Sequence, residues 1–283
     1  MKIGIIGNGF VGKATYLLKC SSVNILAYDI NPDYCMPKGT TLEDICNCDL
    51  IFISVPTPMN KDGSYYLNIV ENVINDLKKF INFDEKCVVL RSTVTPGISD
   101  NLNCFFMPEF LTEKNYENDF KRNPHWIFGL KQNTKQNEKF KYLINNLINS
   151  SYLEQCIYSN KIIYLDNKEA EMIKLFRNNF LAVKVSFCNE IYKYCDKKNI
   201  SYETVRKYAT LDTRINDSHS KVPGHDGCFG YGGTCFPKDT HGLLFDMEKN
   251  DVKSCIIKGA IERNEQIDRC EKDWESNKGR AVI

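Results

Sequence analysis

The stretch from Lys2 to Asp29 restricts this chain more than any other. Lys2 to Ile6 is a short apolar run that passes directly into Gly7-Asn8-Gly9-Phe10-Val11-Gly12, a GxGxxG. A helical pattern follows from Lys13 to Leu18, and a second apolar run, Val23 to Tyr28, ends on Asp29. Strand, glycine turn, helix and strand in this order make the first βαβ unit of a dinucleotide-binding fold. Gly7 serves the tight turn, Gly9 lets a pyrophosphate approach the backbone, and Gly12 lets the helix pack on the strand. The backbone N–H groups at the helix start, at Phe10 and Val11, are directed at the phosphates. Asp29 stands 22 residues after Gly7, where a carboxylate accepts hydrogen bonds from ribose hydroxyls. No arginine lies nearby to meet a 2′-phosphate, which predicts NAD rather than NADP.

The alternation continues. Apolar runs at Leu50–Val55, Cys87–Leu90, Cys104–Met107 and Trp126–Leu130 predict buried strands, and Leu67–Phe80 and Glu138–Leu147 have helical spacing. Lys161–Leu165 is a further strand that closes this part. The expected fold is α/β: a Rossmann-type, doubly wound parallel sheet, followed by a long helix and a smaller all-helical domain. The predicted domains are 1–166, binding NAD, and 167–283. Ligands in such sheets sit at the carboxyl ends of the strands. Thr57, Ser92-Thr93 and Glu109 fall there, although each alone is also ordinary loop chemistry.

Asn167 to Asp196 holds neither Pro nor Gly, and Met172, Leu175, Phe176, Phe180, Val183, Phe187, Ile191 and Tyr194 recur in steps of three and four. That predicts an amphipathic helix of about 45 Å at 1.5 Å per residue. Its apolar stripe is too long for a small domain to cover, so a homodimer is expected along it. Lys174 and Asn178, four apart, share a face. Ser201–Leu211, Thr240–Lys249 and Val252–Asp273 are further helical stretches. Ahead of the second of these lies Phe229-Gly230-Tyr231-Gly232-Gly233-Thr234-Cys235-Phe236-Pro237-Lys238-Asp239. Its glycines allow close backbone approach, and Pro237 predicts a turn. Lys238 and Asp239 set a positive and a negative group within one turn of Cys235, and a nearby cation favours the thiolate that a nucleophile needs.

Composition narrows the function classes. Lys and Arg total 37 against 36 Asp and Glu, a net charge of +1, which argues against a nucleic-acid or membrane-surface protein. No apolar run reaches transmembrane length, and the chain enters a strand at once, without a signal-peptide layout. The thirteen cysteines form neither a disulfide framework nor a metal site, so a cytoplasmic protein with reduced thiols and no metal is expected.

Together these motifs resemble the UDP-glucose/GDP-mannose dehydrogenase family. GNGFVG, VPTP, RST, PEFLTE, EMIKLFRNN and GYGGTCFPKD occur in the family's order from Lys2 to about residue 270. The resemblance implies a nucleotide sugar as substrate, UDP-glucose foremost, oxidised from alcohol to carboxylate with two NAD. It implies Cys235 as the nucleophile that forms a thioester. Lys174 and Asn178 would stabilise oxyanions, Thr93 and Asp239 would hold water, and Glu113 would do acid–base work, with Glu109 shaping the site. Phe110, Leu111, Phe229, Tyr231, Gly232 and Arg214 would line the sugar nucleotide site, and Thr57, Thr93 and Lys238 would contact the cofactor. Family members usually carry a third domain that helps hold the nucleotide, and this sequence stops at Lys278–Ile283, about where its first strand would start. Alternatives stay open: GDP-mannose or a UDP-N-acetylhexosamine as substrate, a plain hydroxy-acid dehydrogenase, or a degenerate NAD-binding partner subunit.

Overall fold

The computed structural model describes residues 1–132 and 134–283. The chain divides into two compact units, the first comprising Met1–Thr57 and Leu67–Lys174, the second Pro58–Tyr66 and Leu175–Ile283.

In chain order the first unit contains β1 (Lys2–Ile6), α1 (Phe10–Tyr16), β2 (Asn24–Tyr28), α2 (Leu42–Cys46), β3 (Leu50–Ile53), α3 (Asn68–Lys78), β4 (Cys87–Leu90), α4 (Ile98–Asn101), β5 (Phe105–Phe106), α5 (Tyr116–Lys121), β6 (Trp126–Leu130), α6 (Gln136–Leu153) and β7 (Ile162–Asp166). The strands form one sheet in the order β2-β1-β3-β4-β5-β6-β7. All neighbours run parallel except β5 and β6. Every side chain of β3 and β4 is buried, which is why these strands read as unbroken apolar runs rather than alternating ones. Ile3, Ile5, Phe52 and Val89 pack on one face and Ile6, Ile51, Ile53, Val88 and Leu90 on the other. The order reverses direction at β1, so the carboxyl ends of β1 and β3 open a crevice where ligands bind in such sheets. The sheet is the doubly wound one that the sequence predicts.

Helix α7 (Asn167–Lys197) runs unbroken for 31 residues, and the division between the units falls inside it. Along it Phe176, Phe180, Phe187 and Tyr194 are all more than half exposed, and Phe176 and Phe180 stack with ring centroids 6.2 Å apart. The second unit continues with α8 (Tyr202–Ala209), α9 (Phe236–Lys249) and α10 (Cys255–Arg263).

Two stretches differ from expectation. Pro237 does not make a turn; it lies in the first turn of α9, where its missing N–H is no loss because that group has no helical partner. Val252–Asp273 is not one helix: α10 ends at Arg263 and passes into a single π-helical turn, Asn264–Asp268. The reason for that turn lies in the loop it supports.

Candidate active site

In the first unit the glycine turn has the conformation its residues demand. Gly7 has φ +85°, and a Cβ there would stand 2.7 Å from the Ser54 carbonyl oxygen, so the end of β1 closes directly on the end of β3. A Cβ on Gly12 would run into the Gly7 carbonyl. A Cβ on Gly9 would meet nothing within 4 Å, which leaves its backbone open to an approaching phosphate group. Asn8 is fully buried; its N–H donates to Asp29 Oδ2 at 2.7 Å and its amide to the Tyr34 carbonyl at 2.7 Å. Asp29 Oδ1 accepts from Asn31 N at 2.9 Å. A carboxylate has about four acceptor sites, so these two bonds orient Asp29 and leave it capacity for ribose hydroxyls. The cradle therefore fits a dinucleotide.

Arg91, from the RST motif, is a residue of this cradle that the sequence reading leaves without a role. It is buried, and its guanidinium donates to the Val11 carbonyl at 3.1 Å and to the Thr15 hydroxyl. Burial pulls its pKa down to about 10, against the field of Glu109. It fastens α1 from beneath. At the ends of β3 and β4, Thr57 Oγ1 donates to the Thr93 carbonyl at 2.8 Å and Ser92 Oγ to the Val55 carbonyl at 2.6 Å. These bonds tie the VPTP and RST loops together, with Thr57 and Thr93 both buried.

Glu109 and Lys174 form a buried ion pair with N···O 2.5 Å. Glu109 also accepts the Leu111 N–H at 2.9 Å. Glu113 is exposed at the start of a short 3-10 turn, so the two glutamates occupy different environments despite their regular spacing. Phe110 and Leu111 between them are half-buried.

In the second unit Cys235 is the residue that starts α9, half-buried, with its thiol 3.8 Å from the Thr234 hydroxyl. Asp239 lies one helical turn later and is completely buried. Three donors converge on its carboxylate: Tyr65 OH on Oδ1 at 3.0 Å, Lys238 Nζ on Oδ1 at 2.5 Å and Asn178 Nδ2 on Oδ2 at 2.5 Å. Lys238, which the sequence suggests for the cofactor, thus pairs with Asp239. Asn178 is one turn beyond Lys174 on α7. Arg214 is on the surface, paired with Asp212 at 2.5 Å. Phe229 is half-buried against Tyr192, ring centroids 5.5 Å apart, and Tyr231 is buried.

The glycine loop is held by side chains that sequence patterns do not reveal. Asn264, in the π turn, accepts from Tyr231 N at 2.8 Å and donates to Tyr231 O at 2.9 Å. Asn189 accepts from Gly230 N at 3.1 Å, and Arg269 donates to the Phe229 carbonyl at 3.1 Å. Gly230 has φ +66° and a Cβ there would collide with Asn264, so only glycine serves. The π turn places Asn264 against this backbone, as such turns often do at functional sites. Asn179 adds a bond to the Asp239 carbonyl at 3.2 Å. Among the described residues no group of three or more His, Cys, Asp or Glu is arranged to hold a metal.

Comparison with known proteins agrees with this geometry. Residues 38–148 match the NAD binding domain, and residues 168–266 the central domain, of the UDP-glucose/GDP-mannose dehydrogenase family. A UDP-glucose 6-dehydrogenase of Campylobacter jejuni is 29% identical over 94% of this chain and 72% of its own length. One of Rickettsia felis is 31% identical over 79% of this chain, and the match spans about half, 49%, of that relative. A UDP-glucose dehydrogenase structure from Pyrobaculum islandicum superposes with TM-score 0.78 at 23% identity, over 93% of this chain and 68% of its own. A 3-hydroxyisobutyrate dehydrogenase of Mycobacterium tuberculosis shares the fold at TM-score 0.68 and 13% identity, over 94% and 92%.

Proposed function

Since the chain belongs to the UDP-glucose/GDP-mannose dehydrogenase family, we propose that it is an NAD-dependent nucleotide-sugar 6-dehydrogenase that oxidises UDP-glucose to UDP-glucuronate through a thioester on Cys235. The observation that carries this reading is the group Cys235, Asp239 and Asn178, held by α9 and α7 with both carboxylate oxygens of Asp239 engaged. A plain hydroxy-acid dehydrogenase has no use for a cysteine in such a setting.

Bound in the cradle of β1, α1 and Asp29, NAD supplies the hydride acceptor. The division of labour among the residues follows from chemistry. Cys235 Sγ adds to the aldehyde carbon, since an aldehyde cannot give up its remaining hydrogen as hydride until a nucleophile has made the carbon tetrahedral. Lys174 and Asn178 donate to the oxygen that gains negative charge at each addition. Asp239 and Thr93 orient the water that cleaves the thioester, and Glu113 exchanges protons with it. Glu109 keeps Lys174 in place. Phe110, Leu111, Phe229, Tyr231 and Gly232 line the sugar nucleotide, and Arg214 meets its diphosphate. We assign residues 1–166 to NAD binding and 167–283 to a helical dimerisation part that carries Cys235. No disulfide joins the cysteines among the described residues, which supports a reducing, cytoplasmic setting.

The test is the ratio of NADH formed to UDP-glucose consumed, at saturating NAD, alongside other UDP- and GDP-sugars. The expected ratio is two. A ratio of one supports a single alcohol oxidation, and no NADH with NAD still bound supports a non-catalytic subunit. In the same assay NADP is expected to be at least about ten-fold poorer in kcat/KM, because Asp29 faces the added phosphate with like charge. Comparable rates with the two cofactors contradict the assignment of Asp29.

The exposed aromatic stripe of α7 supports a homodimer, since contiguous apolar surface of this length is rare on monomers. Light scattering at micromolar concentration is expected to give twice the mass of the 32.7 kDa chain. Phe180→Glu is expected to shift that to the single chain. A wild-type monomer contradicts the dimer.

A further inference from the structure

We propose that Tyr65 is a positioning residue for Asp239, and that α9 carries glycine at 242 to admit its ring. The inference rests on the reaction assigned above. Tyr65 lies in the segment Pro58–Tyr66, which belongs to the second unit although the first unit surrounds it in sequence. Its side chain is buried, and its hydroxyl donates to Asp239 Oδ1 at 3.0 Å. Lys238 Nζ stands 5.1 Å from the centre of its ring while pairing with the same carboxylate.

Gly242 is the second half of the arrangement. A Cβ on it would stand 2.5 Å from Tyr65 Cε2, 2.6 Å from Cζ and 3.0 Å from the hydroxyl oxygen. Glycine is among the least favourable residues in a helix interior, and here α9 bears one three residues after Asp239. The ring therefore fills the space that a side chain at 242 would take.

The phenol is a constant donor. Burial pushes its pKa well up, and the neighbouring charges of Asp239 and then Cys235 push it further. It does not ionise in the working range, and its proton stays directed at Oδ1. With Lys238 on the same oxygen and Asn178 on the other, the plane of the Asp239 carboxylate is fixed. That plane determines where a water bound to Asp239 can stand, so Tyr65 acts on the thioester-cleaving step without touching substrate.

Tyr65→Phe keeps the ring and removes only the donor. The expected result is a kcat about ten-fold lower, with the KM for NAD within about two-fold of wild type. Because the slowed step follows both oxidations, stopped-flow mixing should show a burst of two NADH per subunit, with the ratio of burst rate to steady-state rate about ten-fold that of the wild type. Gly242→Ala should lower kcat likewise by displacing the ring. A second readout needs no turnover: with one donor removed, Asp239 bears more strongly on the Cys235 thiolate, so iodoacetamide should label the Cys235 peptide about three-fold more slowly, as read by mass spectrometry. Unchanged kcat in Tyr65→Phe, or a loss of kcat without a burst, overturns the inference while leaving the reaction itself standing. If the wild type forms no NADH, the assigned reaction fails first. The labelling rates then decide, and equal rates in wild type and variant overturn the role of Tyr65.

Discussion

Cys235→Ser lowers the formation of acid by at least about a thousand-fold, while NAD affinity stays within about two-fold of wild type. The two side chains are nearly equal in size, and Cys235 starts α9 in a half-buried position, so the fold has no reason to change. The hydroxyl is un-ionised at neutral pH, and Asp239 one turn away is already bonded by Tyr65, Lys238 and Asn178. An attack that needs a thiolate is therefore lost rather than slowed. Removing an essential nucleophile typically costs several powers of ten in kcat. The measurement is NADH production together with trapping of aldehyde by a hydrazine. A serine variant that turns UDP-glucose fully into acid at the native rate removes the covalent step from the mechanism.

Lys174→Met has the largest expected effect on stability. Lys174 and Glu109 are both almost entirely out of water. Taking away the ammonium leaves a buried carboxylate with the Leu111 N–H and the field of the buried Arg91, which replace a direct ion pair only in part. Breaking a buried pair in this way costs about 3–5 kcal/mol, which for a protein of this size lowers the melting temperature by about 10 °C. Turnover falls by about a hundred-fold or more through loss of oxyanion stabilisation. The double variant Lys174→Met with Glu109→Gln separates the two roles. It removes the stranded charge, so melting returns most of the way while turnover does not. Recovery of both would show that Lys174 serves only the packing around Glu109.

The parts of the fold that the sequence discloses are those where burial dictates residue type continuously. Leu50–Ile53 and Cys87–Leu90 are covered on both faces, so nothing but apolar residues fits and the runs mark the strands. The run Cys104–Met107 shrinks to Phe105–Phe106 because pairing, rather than burial, ends there, at the antiparallel junction with β6. The candidate site divides in the same way. Cys235, Lys238 and Asp239 are legible because they lie within one turn of a helix, and Asn178 because helical spacing places it beside Lys174. Tyr65 is not legible: it reaches Asp239 across 174 residues of chain, and no periodicity records where a loop docks. Asn189, Asn264 and Arg269 bond to backbone atoms of the glycine loop, and a backbone partner leaves no mark in residue type. What survives in the sequence is the reciprocal trace, a glycine at each point of contact. Gly230 against Asn264 and Gly242 against Tyr65 are both of this kind.

The doubly bonded contact between Asn264 and Tyr231 makes helical phase a condition of reactivity. Each residue of an α-helix turns the chain by about 100°, and the π turn at Asn264–Asp268 resets that phase just where the amide must meet a backbone. Deleting one residue from the turn would swing Asn264 away from Tyr231, and lengthening α10 by one would do the same in the opposite sense. The motif GYGGTC is consequently not portable: grafted onto another scaffold it brings the thiol without the grip that shapes the loop. Insertions are intolerable in the five residues of the turn, although these stand well away from Cys235 in sequence.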